Sequence, residues 1–218
     1  MSTTMSAGHH SRSLLLPGLA GPLEAILWTP AGPAQPSMAA VVCHPHPLFA
    51  GTMHNKVVYQ AAKSLDSLGL AVLRFNFRGV GKSAGTHDHG VGERDDVSAA
   101  LDFLALEFAA LPLLVAGFSF GSVAGLRVGS VDARVRELIG LGIPVNGTDF
   151  SFLADCTKPK LFVQGENDQY GAIEKTRKVV ASLPEPKRLV EVSGADHFFA
   201  GKLDQVNAAI VSWMREPV

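Results

Sequence analysis

The sequence predicts an α/β fold in which a mostly parallel, twisted sheet carries helices on both faces. From residue 39 onward, short apolar runs typical of buried strands alternate with amphipathic segments of helical length. Parallel strands need crossover connections of about this length, so the alternation indicates a parallel sheet. With 218 residues, of which 47% are hydrophobic, the chain can bury a full core. We therefore expect one α/β domain over residues 13–218, after a flexible tail over residues 1–12.

The two periodicities of strands and helices locate the individual elements. Residues 13–16 and 24–28 flank a turn rich in Pro and Gly and predict an opening antiparallel hairpin. The later strands are expected at residues 39–44, 70–77, 113–117, 135–142, 160–164 and 188–192. Helices are expected at residues 54–68, 93–108, 172–183 and 203–213, and one more helix is expected to run through Ala124, Gly125 and Gly129. Ligands bind such sheets at the carboxyl ends of the strands, so reactive residues should directly follow a strand.

The composition excludes several classes of protein. The 19 basic and 20 acidic residues give a net charge of −1, whereas a nucleic-acid partner requires an excess of clustered Lys and Arg. No apolar run approaches the ~20 residues of a membrane helix, and the N-terminus lacks the features of a secretory signal. Two cysteines cannot form a disulfide scaffold. We therefore expect a cytoplasmic protein without a nucleic-acid or membrane partner, and its oligomeric state stays open.

The strongest chemical motif is Gly117-Phe118-Ser119-Phe120-Gly121, which follows one predicted strand and opens a helix. A G-x-S-x-G sequence in this context is typical of a nucleophile elbow, a strained turn that lifts the serine hydroxyl above the sheet. The helix that begins there presents N–H groups and a partial positive charge to an oxyanion. A Gly-rich strand-to-helix turn without chemistry is the alternative. The context favours Ser119 as a nucleophile.

A nucleophilic serine needs a base, and the base needs an acid that orients it. Of the eight histidines, His197 directly follows the last predicted strand and precedes the last helix. Glu166 and Asp168 both follow the strand 160–164, and Asp168 leaves more room for a turn toward His197. We predict His197 as the base and Asp168 as the acid. The chain order Ser119, Asp168, His197 is characteristic of α/β-hydrolases.

The oxyanion hole should combine two backbone N–H groups. One belongs to the residue after the nucleophile, Phe120. The other should come from the loop His44-Pro45-His46-Pro47-Leu48, which follows the strand 39–44. Because proline has no N–H, His46 and Leu48 remain as candidates.

A metal site is the main competing interpretation of the histidines. The pairs His44-x-His46 and His87-x-His89, with Asp88 between the second pair, would supply imidazole ligands suited to zinc. Residues i and i+2 of an extended chain point to opposite sides, however, and Pro45 stiffens the first pair. We therefore expect no metal and no other cofactor.

These motifs together resemble those of the α/β-hydrolase-fold serine hydrolases. The similarity is greatest to the small lidless bacterial group that carries an H-P-H-P loop, here His44 to Pro47, followed by Arg-Gly-Val-Gly-Lys-Ser. It spans nearly the whole chain. The loop also resembles the H-G-x-P segment of related hydrolases, whose third residue donates an oxyanion N–H; the resemblance therefore implies His46 for this role. Members of the group are described as predicted hydrolases or esterases.

The resemblance and the motifs imply a hydrolase that cleaves esters, or related acyl bonds, of a small-molecule acyl substrate. A thioesterase, peptidase or acyltransferase would use the same site, and a non-catalytic binding protein is the other alternative. The segment 143–159 is too short for a cap domain of several helices, so the cleft should be open. We expect substrate to contact Leu48, Phe118 and Phe198, with Phe120 and Phe199 also lining the cleft.

Overall fold

The computed structural model describes residues 8–32 and 35–216, which form one eight-stranded sheet and five helices. The strands are β1 (His9–Gly18), β2 (Gly21–Pro30), β3 (Ala39–Cys43), β4 (Ala71–Phe75), β5 (Leu113–Phe118), β6 (Val135–Leu141), β7 (Lys160–Gly165) and β8 (Lys187–Val192), and the helices are α1 (Lys56–Asp66), α2 (Gly92–Glu107), α3 (Phe120–Val131), α4 (Ile173–Ser182) and α5 (Leu203–Arg215). Single 3₁₀ turns lie at Pro47–Phe49 and Ser151–Leu153.

The sheet has the strand order β1-β2-β4-β3-β5-β6-β7-β8. Strands β4, β3, β5, β6, β7 and β8 are parallel, and β1 and β2 join one edge in antiparallel register. The predicted mostly parallel sheet is thus confirmed, and the elements downstream of residue 39 begin and end within two residues of their expected positions. Apolar periodicity is therefore a sufficient guide to this part of the chain.

The opening hairpin is longer than its sequence indicates. Strand β1 begins at His9, so the predicted tail is wrong for residues 9–12, while residues 1–7 lie outside the described part. This edge strand has no apolar alternation over its first half because its contacts there are polar or aromatic. His9 stacks on Trp28 with ring centroids 4.2 Å apart, and Arg12 forms an ion pair with Glu107. An edge strand also tolerates Pro17.

The sheet is covered on both faces, as alternate side chains of its central strands show. In β3, Ala39, Val41 and Cys43 belong to one core, whereas Ala40 and Val42 belong to the other. The first core contains side chains of α2, α3 and α4, and the second contains side chains of α1 and α5. Because both faces are buried, the central strands are apolar at every position.

Glycines spaced four residues apart allow helix α3 to lie close to the centre of the sheet. A Cβ on Gly121 would lie 2.4 Å from the carbonyl oxygen of Cys43, and one on Gly125 would lie 3.0 Å from a methyl group of Val115. A Cβ on Gly129 would lie 2.7 Å from a side chain of β6. Since residues i and i+4 share a helix face, the three glycines form one stripe against the sheet. The first turn of α3 thereby meets the end of β3.

The substitution Gly121→Ala tests this close packing. Helix propensity alone would favour Ala by about 1 kcal/mol. We expect instead that the free energy of unfolding falls by about 1–3 kcal/mol, because the new methyl group collides with backbone that cannot turn away. Denaturant unfolding measures the change.

Gly147→Ala is the matched control for this measurement. A Cβ there has nothing within 4 Å, and the backbone φ is not positive. We expect a change within about 0.5 kcal/mol for this variant. Equal stabilities of the two variants would contradict the packing argument.

Candidate active site

Ser119 lies in the sharp turn between β5 and α3. Its backbone has φ 53° and ψ −122°, a conformation that non-glycine residues rarely adopt. The Ser119 N–H donates to the carbonyl oxygen of Leu141 on the neighbouring strand. Gly117 permits the turn because a Cβ there would lie 2.2 Å from the carbonyl oxygen of Gly121. The turn exposes Ser119 to a cleft at the carboxyl ends of the strands.

His197 and Asp168 form a buried hydrogen-bonded pair beside this cleft. Nδ1 of His197 lies 2.7 Å from Oδ2 of Asp168. The carboxylate also accepts hydrogen bonds from the Gln164 side chain and from the N–H groups of Tyr170 and Gly171. With four donors around it, the carboxylate is held in one orientation and holds Nδ1 of the imidazole as a donor. Nε2 of His197 is then free to accept a proton.

The structure places Ser119 and His197 on the same cleft. In the described part of the chain, no hydrogen bond joins Ser119 Oγ to the imidazole; such contacts are often long before substrate binds. Glu166, the alternative acid, lies elsewhere: its carboxylate accepts hydrogen bonds from the Ser193 hydroxyl and the Gly194 N–H. These bonds lower the pKa of Glu166, led by the one from Gly194.

Two of the backbone N–H groups expected to form the oxyanion hole have no hydrogen-bond acceptor among the described residues. They belong to Phe120 and His46. The N–H of Leu48, the other candidate, donates to Nδ1 of His46 at 3.2 Å. The geometry therefore favours His46 over Leu48 as the second donor.

The buried His44 side chain determines the conformation of this loop. Its Nδ1 donates to the Pro45 carbonyl oxygen at 2.6 Å, and its Nε2 accepts a hydrogen bond from the Phe77 N–H at 3.0 Å. Both ring nitrogens are thus occupied, and neither can bind a metal. His46, His87 and His89 pack ring against ring, with centroids 4.8 and 5.2 Å apart. No group of three or more His, Cys, Asp or Glu among the described residues could hold a metal ion.

The cleft has a volume of about 760 Å³ and differs in part from the predicted one. Phe198 and Phe120 line it, as expected. Phe118 does not: its side chain is buried in the α1/α5 core, below the His197 ring. Phe199 is also fully buried, and Leu48 is 66% exposed outside the lining. The predictions for Phe118, Phe199 and Leu48 as cleft residues are therefore wrong.

Other cleft residues were not predicted. The exposed aromatic rings of Phe49 and Tyr170 line the cleft, and so do the side chains of Arg94 and Arg127. Arg127 lies about two helical turns after Phe120, on the same face of α3. That spacing is visible in the sequence. The positions of Phe49 and Tyr170 depend on loop conformations that have no periodicity.

The cleft has no cap. Between β6 and β7, residues 142–159 contain the single 3₁₀ turn Ser151–Leu153 and no longer helix.

A protein-family model described as an α/β hydrolase domain matches residues 39–209, most of the chain. The chain belongs to the α/β hydrolase family.

Two solved structures are similar to this α/β hydrolase over almost its full length. XC6422 from Xanthomonas campestris, described as an α/β serine hydrolase without lid, is 36% identical, with a TM-score of 0.87 and 94% of each chain covered. An α-β serine hydrolase homologue from Coxiella burnetii is 39% identical, with a TM-score of 0.86, over 97% of this chain and 99% of that one. The fold predicted from the sequence, including the missing cap, is confirmed.

A protein of Rickettsia prowazekii, the uncharacterized protein RP471, is 40% identical over 184 residues. The match covers 80% of this α/β hydrolase and 77% of the other protein.

Among the residues that the structure describes, no helix combines the length and the apolar character that crossing a membrane requires.

The buried His44 predicts how stability depends on pH. Burial lowers its pKa to about 4, although the hydrogen bond to Pro45 opposes the shift. The unfolded chain therefore binds this proton near pH 6.5, and the folded protein only near pH 4. The stabilisation is complete above pH 6.5 and is lost progressively as the pH falls from 6.5 to 4, by roughly 3 kcal/mol in total.

Unfolding of wild-type protein and of His44→Gln at pH 7.5 and pH 5 measures this contribution. The variant should be less stable at pH 7.5, and its stability should fall less between the two values. His54→Gln, which changes an exposed histidine, is the control and should keep the wild-type pH dependence. An unchanged pH dependence in His44→Gln would exclude His44 as the source.

Proposed function

We propose that this α/β hydrolase is a serine esterase that cleaves small-molecule esters through Ser119, His197 and Asp168. The observation that carries the proposal is the Asp168–His197 pair at 2.7 Å, on the same cleft as a serine in a strained turn. The similarity to serine hydrolases over almost the whole chain supports it.

The first half of the reaction forms an acyl-enzyme. Ser119 Oγ attacks the carbonyl carbon while Nε2 of His197 accepts the hydroxyl proton, and Asp168 stabilises the resulting imidazolium. The carbonyl oxygen becomes an oxyanion that accepts hydrogen bonds from the N–H groups of Phe120 and His46. The tetrahedral intermediate collapses, the C–O bond to the leaving group breaks, and His197 returns the proton to the departing alcohol.

The second half of the reaction hydrolyses the acyl-enzyme. Water enters the open cleft and gives a proton to His197 as its oxygen attacks the acyl carbon. The bond to Ser119 Oγ then breaks, the serine recovers its proton from His197, and the carboxylic acid leaves. None of these steps requires a cofactor.

The same steps would serve a thioesterase or a peptidase, and an acyltransferase would replace water with another acceptor. We choose an ester over a peptide because an alcohol leaves the tetrahedral intermediate more readily than an amine, and assaying a matched ester and thioester separates those two substrate classes. We place the enzyme in the cytoplasm because its two cysteines are both unpaired and buried.

Reaction with a fluorophosphonate probe tests the nucleophile. We expect covalent labelling of wild-type protein at Ser119, located by peptide mass spectrometry, because such probes react with activated serines. Ser119→Ala should lose the label and nearly all ester hydrolysis while keeping its melting temperature. Ser130→Ala is the matched control on the same helix, where the hydroxyl bonds its own helix backbone, and it should label normally. Labelling of Ser119→Ala at wild-type rate would refute the proposal.

The pair of variants Asp168→Asn and Glu166→Gln tests the acid. An amide at position 168 cannot hold Nδ1 of His197 as a donor in the same way, so kcat should fall roughly 10³–10⁴-fold. Glu166→Gln should retain activity within a few fold, because its carboxylate bonds Ser193 and Gly194 instead. Steady-state kinetics measure both, with circular dichroism as the check on folding. The opposite ranking would show that the acid is misassigned.

A further inference from the structure

The charged side chains that line the cleft are all basic. Arg94 and Arg127 line it, and no Asp or Glu does so among the described residues. The protein as a whole carries a net charge of −1, so this arrangement is local and does not reflect a basic protein. Because no acidic residue of the lining offsets them, the two guanidinium groups create a positive potential in the cleft.

Arg127 is held in place without an ion pair. Its guanidinium lies 4.2 Å from the ring centroid of Phe152, which fixes the side chain by a cation–π contact. The nearby carboxylate of Asp149 accepts hydrogen bonds from the hydroxyl and the N–H of Ser151, which lower its pKa most, and Arg127 lowers that pKa further. Asp149 does not line the cleft. No salt bridge to Arg127 occurs in the described part of the chain. Its N–H donors remain available to a ligand.

Arg94 reaches the cleft from the first turn of α2. Its Nε donates to the Gly90 carbonyl oxygen at 2.9 Å, which orients the guanidinium. No acceptor for its terminal nitrogens lies among the described residues. The Gly90 loop lies beside the nucleophile turn, since a Cβ on Gly90 would be 3.5 Å from the Phe120 ring. Both arginines therefore line the same cleft as Ser119.

Two carboxylates beside the cleft are covered by histidines. Glu93 is fully buried, lies 2.8 Å from Nδ1 of His87, and accepts the N–H groups of Asp88 and Gly90. Asp168 is likewise buried behind His197. Each is satisfied by its own donors, so neither competes for the arginines.

His46, which also lines the cleft, does not supply a charge at neutral pH. Burial, together with the neighbouring His87, lowers the pKa of His46, so its imidazole is neutral. The arginines supply a positive potential throughout the working pH range, because they stay protonated.

We propose that the substrate is an ester that also carries an anionic group, a carboxylate or a phosphate, which binds to Arg94 and Arg127. Arg127 lies roughly 10 Å along the α3 axis from Phe120, and arginine side chains on a helix lean back toward its N-terminus. The anion must then lie several bonds away from the carbonyl carbon that Ser119 attacks. This inference rests on the proposed esterase function and names its substrate class.

Matched ester pairs test the proposal. 4-Nitrophenyl monoadipate is compared with 4-nitrophenyl hexanoate for an anion on the acyl side, and 4-acetoxybenzoate with its methyl ester for an anion on the leaving group. We expect wild-type kcat/KM to favour the anionic member of at least one pair about tenfold or more, and added salt to reduce this preference. The pair that shows the preference identifies the side that carries the anion.

The arginine variants connect this preference to the cleft. Arg94→Gln and Arg127→Gln should each reduce the ratio of anionic to neutral kcat/KM about tenfold. Arg136→Gln, which removes an exposed arginine near the amino end of β6, is the matched control and should leave the ratio unchanged. Wild-type hydrolysis of neutral esters without any anion preference, or a preference that survives both cleft variants, would overturn the inference and leave the esterase proposal intact.

A separate binding measurement covers the case in which the esterase proposal fails. If no ester is cleaved and no serine is labelled, calorimetric titration with adipate and with neutral adipamide still tests the cleft. Selective adipate binding that Arg127→Gln weakens would support an anion site. Absent or unselective binding would overturn it.

Discussion

The candidate site depends on the close contact between the first turn of α3 and the carboxyl end of β3. Gly121 allows this contact, because any side chain there would collide with the carbonyl oxygens of Cys43 and His44. The contact brings the N–H of Phe120, at the start of the helix, next to the loop that carries His46. Two residues from distant parts of the sequence, both with an N–H that has no acceptor among the described residues, are thus neighbours, with their rings 4.9 Å apart.

The loop after β3 also depends on a buried histidine. Pro45 and Pro47 have no N–H, so the loop lacks two backbone donors, and its regular hydrogen bonding is confined to one 3₁₀ turn. The His44 ring holds the start of the loop by bridging the Pro45 carbonyl oxygen and the Phe77 N–H. This bridge needs a neutral imidazole, and burial provides it by lowering the pKa of His44. The cost is a loop whose stability falls in acid.

The sequence was sufficient for the parts of the molecule that repeat or that follow a strand end. Apolar periodicity located the sheet, and the rule that reactive groups follow parallel strands selected Ser119, Asp168 and His197, which the fold brings to one region. Sequence reasoning failed for Phe118 because it did not consider which face of the sheet the side chain of this strand residue points to. The Phe118 side chain lies on the α1/α5 face of β5, so its ring packs under His197 instead of lining the cleft. Leu48 failed for a different reason, since a 3₁₀ turn sets its direction and leaves no periodic signal.

The missing cap and the two cleft arginines form one consistent arrangement. A cleft without a lid buries little of a ligand's apolar surface, so hydrophobic contact alone gives a small ligand weak binding there. The exposed rings of Phe198 and Tyr170 in the lining provide some of that contact. Charge acts over a longer range and does not require enclosure, so the guanidinium groups of the lining can attract and orient an anionic ligand in an open cleft. Because Ser119 lines the same cleft, an ester with one apolar and one anionic end would bring its carbonyl group to the nucleophile.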